Sequence, residues 1–205
     1  MSLSDAEAIA RLPLIYFVRH GETAWNAEGR LQGQSDTDIS AHGREQADSN
    51  GARLKELIGR AQGFDFVASP MRRTRETMER LRAAMGLDPQ AYRTDPRLVE
   101  LSFGDWQGFS YEELEQRDPG VTAERLADKW RFVPPGEGAE SYALLLERVR
   151  PAILGFRGPT VCVTHGGIIR TLFVMAGALT PDEAAVVDTP QNKILRLDAG
   201  KLDWL

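Results

Sequence analysis

The chain has 205 residues, of which 42% are hydrophobic and 27% charged. Those are ordinary values for a folded chain long enough to bury a core, and they exclude disordered, collagen-like and disulfide-scaffold classes. Lysine and arginine total 25 against 30 aspartate and glutamate, a net charge of -5, the wrong sign for a protein that holds nucleic acid by neutralising its phosphates.

No repeat or linker interrupts the sequence, which predicts one domain over residues 1–205 with an excursion at about 105–140. In chain order, the first segment carries Asp5 and Glu7 ahead of its apolar residues, where a secretory signal would carry Lys or Arg, so a cytoplasmic location is expected. Leu14 to Val18 is a fully apolar run too short for a helix, which fits a strand covered on both faces of a parallel sheet. Ala47, Gly51, Leu54 and Ile58 then share one helical face, Phe64 to Ala68 is a second strand candidate, and Met71, Thr74, Met78, Leu81 and Met85 line the next helix. Ser69-Pro70 reads as a capping hydroxyl ahead of a proline at the first helical position; Ser110-x-x-Glu113 and Thr180-x-x-Glu183 read as capping boxes.

Asp118 to Ala139, rich in Pro, Gly and charge, is expected to run over the sheet edge. A helix with Leu145, Val149, Ala152, Ile153 and Phe156 on one face leads into the apolar run Thr160 to Val163. The single cysteine, Cys162, lies in that run and reads as a small buried hydrophobe. Asn192 to Leu197 and Lys201 to Leu205 form a hairpin around Asp198-Ala199-Gly200. The longest apolar stretches, Leu14 to Val18 and Leu172 to Leu179, fall far short of the ~20 residues that span a bilayer, so no membrane partner is expected.

In open α/β sheets the ligand crevice lies beyond the carboxyl ends of the strands. Both of the most apolar strands end in a histidine: Val18 is followed by Arg19-His20-Gly21, and Val163 by Thr164-His165-Gly166-Gly167. An imidazole beside a guanidinium and a glycine suits an anion, because Arg19 would repel a metal cation and offers a planar fork of donors to phosphate. Gly21 and Gly166 would leave backbone N–H groups open to the same anion. Neutral His20 could attack phosphorus, and His165 could stabilise charge on the equatorial oxygens. Arg72, Arg73 and Arg75 open the helix after the second strand and offer one more cation, while Glu100, after a short extended segment, could protonate a leaving alkoxide.

These residues carry a resemblance. Arg-His-Gly-Glu-Thr-x-Trp-Asn at Arg19 to Asn26, Gly-Arg-Leu-Gln-Gly-Gln-Ser-Asp-Thr-Asp-Ile-Ser at Gly29 to Ser40, Ser-Pro-Met-x-Arg at Ser69 to Arg73, Leu-Val-Glu-Leu-Ser-Phe-Gly at Leu98 to Gly104 and Thr-His-Gly-Gly at Thr164 to Gly167 are similar, in order and spacing, to the histidine phosphatase superfamily. That superfamily includes the cofactor-dependent phosphoglycerate mutases. The resemblance implies a three-layer α/β/α sandwich on a mixed, mainly parallel sheet, with no metal or nucleotide cofactor. It implies that His20 is the phosphorylated nucleophile, that Arg19, Arg73 and His165 hold the phosphoryl oxygens, and that Glu100 is the proton donor. Asn26 would complete the pocket, Gln32 and Gly33 match the loop that closes on the substrate, and Gly166 would offer its backbone N–H. Glu140 and Ser141 fall on the substrate side of the same comparison.

The superfamily divides between phosphatases and mutases. Mutases resemble one another in carrying an arginine directly after the acid, where this chain has Leu101, and in a longer basic insertion than the segment between Glu100 and His165 allows. The expected function is therefore a metal-independent phosphomonoesterase acting on a small phosphorylated metabolite, ahead of a mutase and of a catalytically silent phosphate-sensing or interaction module. Weighed against these roles, Glu100 could pair with Arg97, Arg72 and Arg75 with Glu76 and Glu79, and His42 belongs on an exposed first helical turn. Trp25, Phe103, Trp106 and Phe109 read as packing residues. Oligomeric state is not legible in the sequence.

Overall fold

The computed structural model describes residues 3–205. Its elements are α1 (Asp5–Ile9), β1 (Ile15–Arg19), α2 (Ala24–Ala27), α3 (Ala41–Ile58), β2 (Asp65–Ala68), α4 (Arg72–Met85), β3 (Arg93–Thr94), α5 (Tyr111–Arg117), α6 (Ala123–Ala127), α7 (Tyr142–Ile153), β4 (Thr160–Thr164), α8 (Gly166–Met175), α9 (Pro181–Val186), β5 (Ile194–Asp198) and β6 (Lys201–Trp204). The strands form one six-stranded sheet in the order β3-β2-β4-β1-β5-β6. Its first four strands run parallel, β5 is antiparallel to β1, and β6 is antiparallel to β5.

Alternation along the buried strands divides the interior in two. Ile15, Phe17, Val67, Cys162 and Leu195 point into a core shared with α7 and α8, whereas Tyr16, Val18, Phe66, Val161 and Val163 point toward α3 and α4. The result is the mixed, mainly parallel three-layer sandwich that the resemblance implied. Cys162 is buried, as expected, and burial pushes its thiol well above the usual range. The capping boxes at Ser110–Glu113 and Thr180–Glu183 form, and two more appear at Ser4–Glu7 and Thr23–Asn26.

Three local expectations need correction. Ser69 does not cap α4, whose N-cap is Met71; the serine leaves the sheet one residue too early and points elsewhere. The excursion after Trp106 does not stay at the sheet edge. Trp130 stacks on Tyr142 with ring centroids 5.6 Å apart and Trp106 on Phe132 at 5.3 Å, and these anchors hold α5 and α6 beside the cavity that Arg19, His20 and Glu100 line. Glu76 and Glu79 do not take Arg72 and Arg75: Arg44 binds Glu76 at 2.6 Å and the Tyr92 hydroxyl donates to Glu79, while Arg72 pairs with Asp38 at 2.7 Å. No helix among the described residues is long and apolar enough to cross a membrane.

Candidate active site

Strand register assembles the centre. Parallel pairing sets Arg19 opposite Thr164, and the His20 N–H donates to the Thr164 carbonyl at 2.9 Å, so the two residues that follow leave the sheet side by side. The imidazoles of His20 and His165 lie 5.2 Å apart between ring centroids with planes at 61°. Both are buried. The neighbouring register of β2 and β4 brings in a third group, because the Ser69 N–H donates to the Val163 carbonyl and its hydroxyl lies 2.8 Å from His165 Nε2. The residue expected to start a helix thus orients an imidazole.

His20 Nδ1 is 2.8 Å from the carbonyl of Gly21. A carbonyl only accepts, so Nδ1 carries the proton and Nε2 keeps its lone pair. Burial, followed by the charges of Arg73 and Arg19, holds His20 well below the ordinary histidine range; burial and Arg73 do the same to His165. Both rings are neutral near pH 7. Three buried nitrogens of these residues have no protein partner: Arg19 Nε, Arg73 Nε and His165 Nδ1. Unpartnered buried polar atoms are uncommon, and three of them belong to this one group of residues.

The two guanidiniums are held differently. Arg19 Nη1 donates to the Thr189 carbonyl at 2.9 Å and lines the cavity. Arg73 spends both terminal nitrogens on the carbonyls of Ser35 and Gly33, at 2.8 and 2.7 Å, which leaves its Nε and its charge for the centre. Burial draws Arg73 down to about 10, and Arg19 is lowered for the same reason, while the nearby Glu100 carboxylate opposes the shift in each.

Glu100 lines the same cavity, which encloses about 190 Å³. Its carboxylate accepts from the Leu101 N–H at 2.8 Å and from the Gly167 N–H at 3.0 Å, so it is anchored on the first turn of α8. Arg97 is not its partner; that arginine binds Asp95 at 2.6 Å. Arg148 holds the backbone at Glu100, donating to the Val99 and Glu100 carbonyls, and it pairs with Glu140 at 2.7 Å. Glu140 and Ser141 are therefore supports, the second as the N-cap of α7, and the reading of them as substrate-side residues falls.

The remaining expected residues divide. Asn26, Gln32, Gly33 and Gly166 all line the cavity. Asn26 Oδ1 accepts from Gln191 Nε2 at 3.0 Å, and the Gln32 amide donates to Thr23 and Thr37. Gly33, with a φ of 53°, holds Arg73 through its carbonyl, and a side chain there would strike Gln107. Gly21 does not face an anion. Its N–H donates to the Thr77 hydroxyl at 2.9 Å, and a Cβ on it would lie 2.2 Å from the Gly43 carbonyl oxygen, so its smallness serves a backbone crossing with α3. His42 is exposed on α3, as expected. Sequence reasoning missed Ser69, Gly167, Gln191 and Arg148 as members of the site's framework. Of these Ser69 and Gly167 carried a signal, the first as the opening residue of Ser-Pro-Met-x-Arg and the second as the last glycine of Thr-His-Gly-Gly.

A model of the histidine phosphatase superfamily, branch 1, matches residues 15–204. The chain belongs to this superfamily. Glucosyl-3-phosphoglycerate phosphatase of Mycolicibacterium vanbaalenii is 35% identical over 176 residues, covering 79% of this chain and 73% of that protein. Probable phosphoglycerate mutase GpmB of Erwinia tasmaniensis is 31% identical over 205 residues, covering 93% and 87%. Among solved histidine phosphatases, the mycobacterial glucosyl-3-phosphoglycerate phosphatase in complex with VO3 superposes with a TM-score of 0.73 at 28% identity, over 94% of this chain and 96% of that one. The same mycobacterial enzyme in complex with inorganic phosphate gives 0.69 at 28% identity, over 94% of each chain.

Proposed function

We propose that this histidine phosphatase is a metal-independent phosphomonoesterase that works through a phosphohistidine. The observation that carries the reading is the pair of buried, neutral imidazoles, one with a free Nε2, beside three unpartnered nitrogens of Arg19, Arg73 and His165. The Nε2 lone pair of His20 attacks phosphorus, and the new N–P bond forms as the ester P–O bond breaks. Glu100, protonated when the phosphate dianion is bound beside it, gives that proton to the leaving oxygen. Positive charge gained by the His20 ring falls on the Nδ1–H held by the Gly21 carbonyl. Water then attacks phosphorus, Glu100 takes up its proton, and the N–P bond breaks to return neutral His20 with free phosphate.

Arg19 and His165 Nδ1 supply donors to the equatorial oxygens, and Arg73 contributes its charge and Nε from behind. Asn26, Gln32, Gly33 and Gly166 shape the wall around the ester. A cavity whose lining holds arginines and one carboxylate favours a dianion over a metal cation, which supports a reaction that runs in chelator. The phosphatases named among the relatives agree with hydrolysis.

The test is turnover of p-nitrophenyl phosphate in EDTA. Wild type is expected to release p-nitrophenol and His20→Ala to lose activity by at least about 10³-fold, as for other residues that form the covalent bond. Rapid quench with radiolabelled ester should leave acid-labile, base-stable label on the wild-type chain; turnover without such label contradicts the mechanism. A phosphoglycerate mutase is the second reading, favoured by the GpmB relatives. Dependence on a bisphosphorylated primer and interconversion of phosphoglycerates would establish it.

A further inference from the structure

The loop between α9 and β5 comes back to the reaction centre from the other end of the chain. Thr189 gives its carbonyl to Arg19 Nη1 at 2.9 Å. Two residues on, Gln191 Nε2 lies 3.0 Å from the His20 carbonyl oxygen and 3.0 Å from Asn26 Oδ1. The loop is itself anchored, because the buried Asn50 of α3 donates from Nδ2 to the Gln191 carbonyl at 2.9 Å. Asn26 lines the cavity and Gln191 stands behind it, outside the lining.

Backbone polarity fixes which way both carboxamides face. The oxygen and nitrogen of a carboxamide change places on a half-turn, so their order is set by the groups around them. At Gln191 the deciding neighbour is the His20 carbonyl, which can only accept, so the Gln191 atom facing it is the nitrogen. That NH2 group has a second hydrogen, and the Asn26 atom that meets it is the oxygen. An independent neighbour demands the same order: the Thr23 N–H, which can only donate, lies 3.2 Å from the same Asn26 atom. With Oδ1 taken by two donors, Asn26 Nδ2 is turned away from both and has no hydrogen-bond acceptor among the described residues. The His20 peptide is held on its other side by the Thr164 carbonyl, which accepts the His20 N–H at 2.9 Å. One amide group therefore ties the backbone of the nucleophile to the orientation of a cavity donor.

We propose that Gln191 is a positioning residue for phosphoryl transfer: by bridging the His20 carbonyl and Asn26 Oδ1 it presents the Asn26 NH2 group to a phosphoryl oxygen bound beside His20. The inference rests on the phosphomonoesterase reading for the identity of that anion. Gln191 touches neither the substrate nor the reacting atoms and acts through Asn26. A donor held in place before the anion arrives needs no reorganisation when charge develops on phosphorus, whereas an amide free to turn offers its oxygen to the anion as readily as its nitrogen. The Thr23 N–H alone belongs to the capping box of α2 and fixes Asn26 to its own helix; only Gln191 fixes it to His20.

The probe is inorganic phosphate, titrated calorimetrically into wild type, Gln191→Met, Asn26→Ala and the double variant. Gln191→Met keeps the length of the side chain and removes its donor. It is expected to weaken phosphate about 10-fold, the loss of one well-placed donor to a charged acceptor. In the Asn26→Ala background the same substitution should cost less than about 3-fold, because the group that Gln191 positions is gone. An equal factor in both backgrounds overturns the proposal, since that is what mere loosening of the loop produces. Phosphate affinity unchanged in Gln191→Met overturns it as well. The second readout is the Asn26 side-chain amide in the proton–nitrogen spectrum, identified by its loss in Asn26→Ala. Phosphate should shift this resonance in wild type and leave it nearly in place in Gln191→Met; equal shifts in the two proteins count against the bridge. None of these measurements needs turnover, whereas the phosphatase reading stands or falls on p-nitrophenyl phosphate hydrolysis and phosphohistidine labelling by the wild-type chain.

Discussion

Glu100 and Gly167 illustrate how narrowly the site is built. The Gly167 N–H holds the carboxylate, and a Cβ on that glycine would lie 2.2 Å from Glu100 Oε1. Gly167→Ala gains about 0.8 kcal/mol of helix propensity but pushes the carboxylate aside and presses on Leu145 of the core, so stability is expected to fall by about 1 kcal/mol. If Glu100 is the acid, kcat on alkyl phosphates falls by about 10² or more, and kcat on p-nitrophenyl phosphate, whose leaving group needs little protonation, falls far less. Equal losses on both esters would argue for a general disruption. At this scale the sequence was informative wherever a motif named a residue type. His20, Arg19 and His165 meet, and Glu100 lines their cavity, but Ser69 was read as a cap because a hydroxyl before Pro carries that local meaning, and its contact with His165 is long-range. Arg125 was invisible for a related reason: a cation on a short helix looks like part of a solvated face until tertiary packing buries it.

Helices α3 and α4 show what the elements contribute. Gly51 falls on the face where they meet, and a Cβ there would lie 2.5 Å from the Leu81 carbonyl oxygen and 2.7 Å from Ala84 Cβ. Gly51→Ala would force the helices apart. Because the obstruction is backbone, the expected cost is about 1–3 kcal/mol despite the better helix propensity of alanine, read as a lowered urea midpoint with an unchanged slope. The periodic apolar faces of α3, α4 and α7 and the strands at Leu14 to Val18 and Thr160 to Val163 were legible because burial on one side or both leaves a pattern. Strand β3 was not: its two residues are both exposed and have no apolar pattern to show. The start of α5 was legible in its capping box, whereas the placing of α5 and α6 follows from Trp106, read only as packing, and from Trp130, which the sequence did not single out.

Acid should weaken the whole molecule before its carboxylates titrate. In the unfolded chain both histidines take up protons below about 6.5, whereas burial and neighbouring arginines keep His20 and His165 neutral in the fold. Their folded values are depressed, so stability is complete above 6.5 and falls as the pH drops below it, by at most about 1.4 kcal/mol per pH unit for each ring. Urea unfolding at pH 7.5, 6.5 and 5.5 should show that decline for wild type and a shallower one for His165→Asn. Parallel curves would mean that His165 is not kept neutral. The same burial leaves His20 unprotonated in mildly acidic solution.

The sheet order carries a consequence for how the protein is made. Strand β1 is among the first elements to leave the ribosome, yet its two neighbours in the finished sheet, β4 and β5, are among the last. Until they emerge, His20 has no ring to face, and two apolar edges stand open through most of translation. A nascent polypeptide of this topology must wait for β4 before His20 and His165 can meet, and chaperones that shield bare strand edges have a long opportunity on β1.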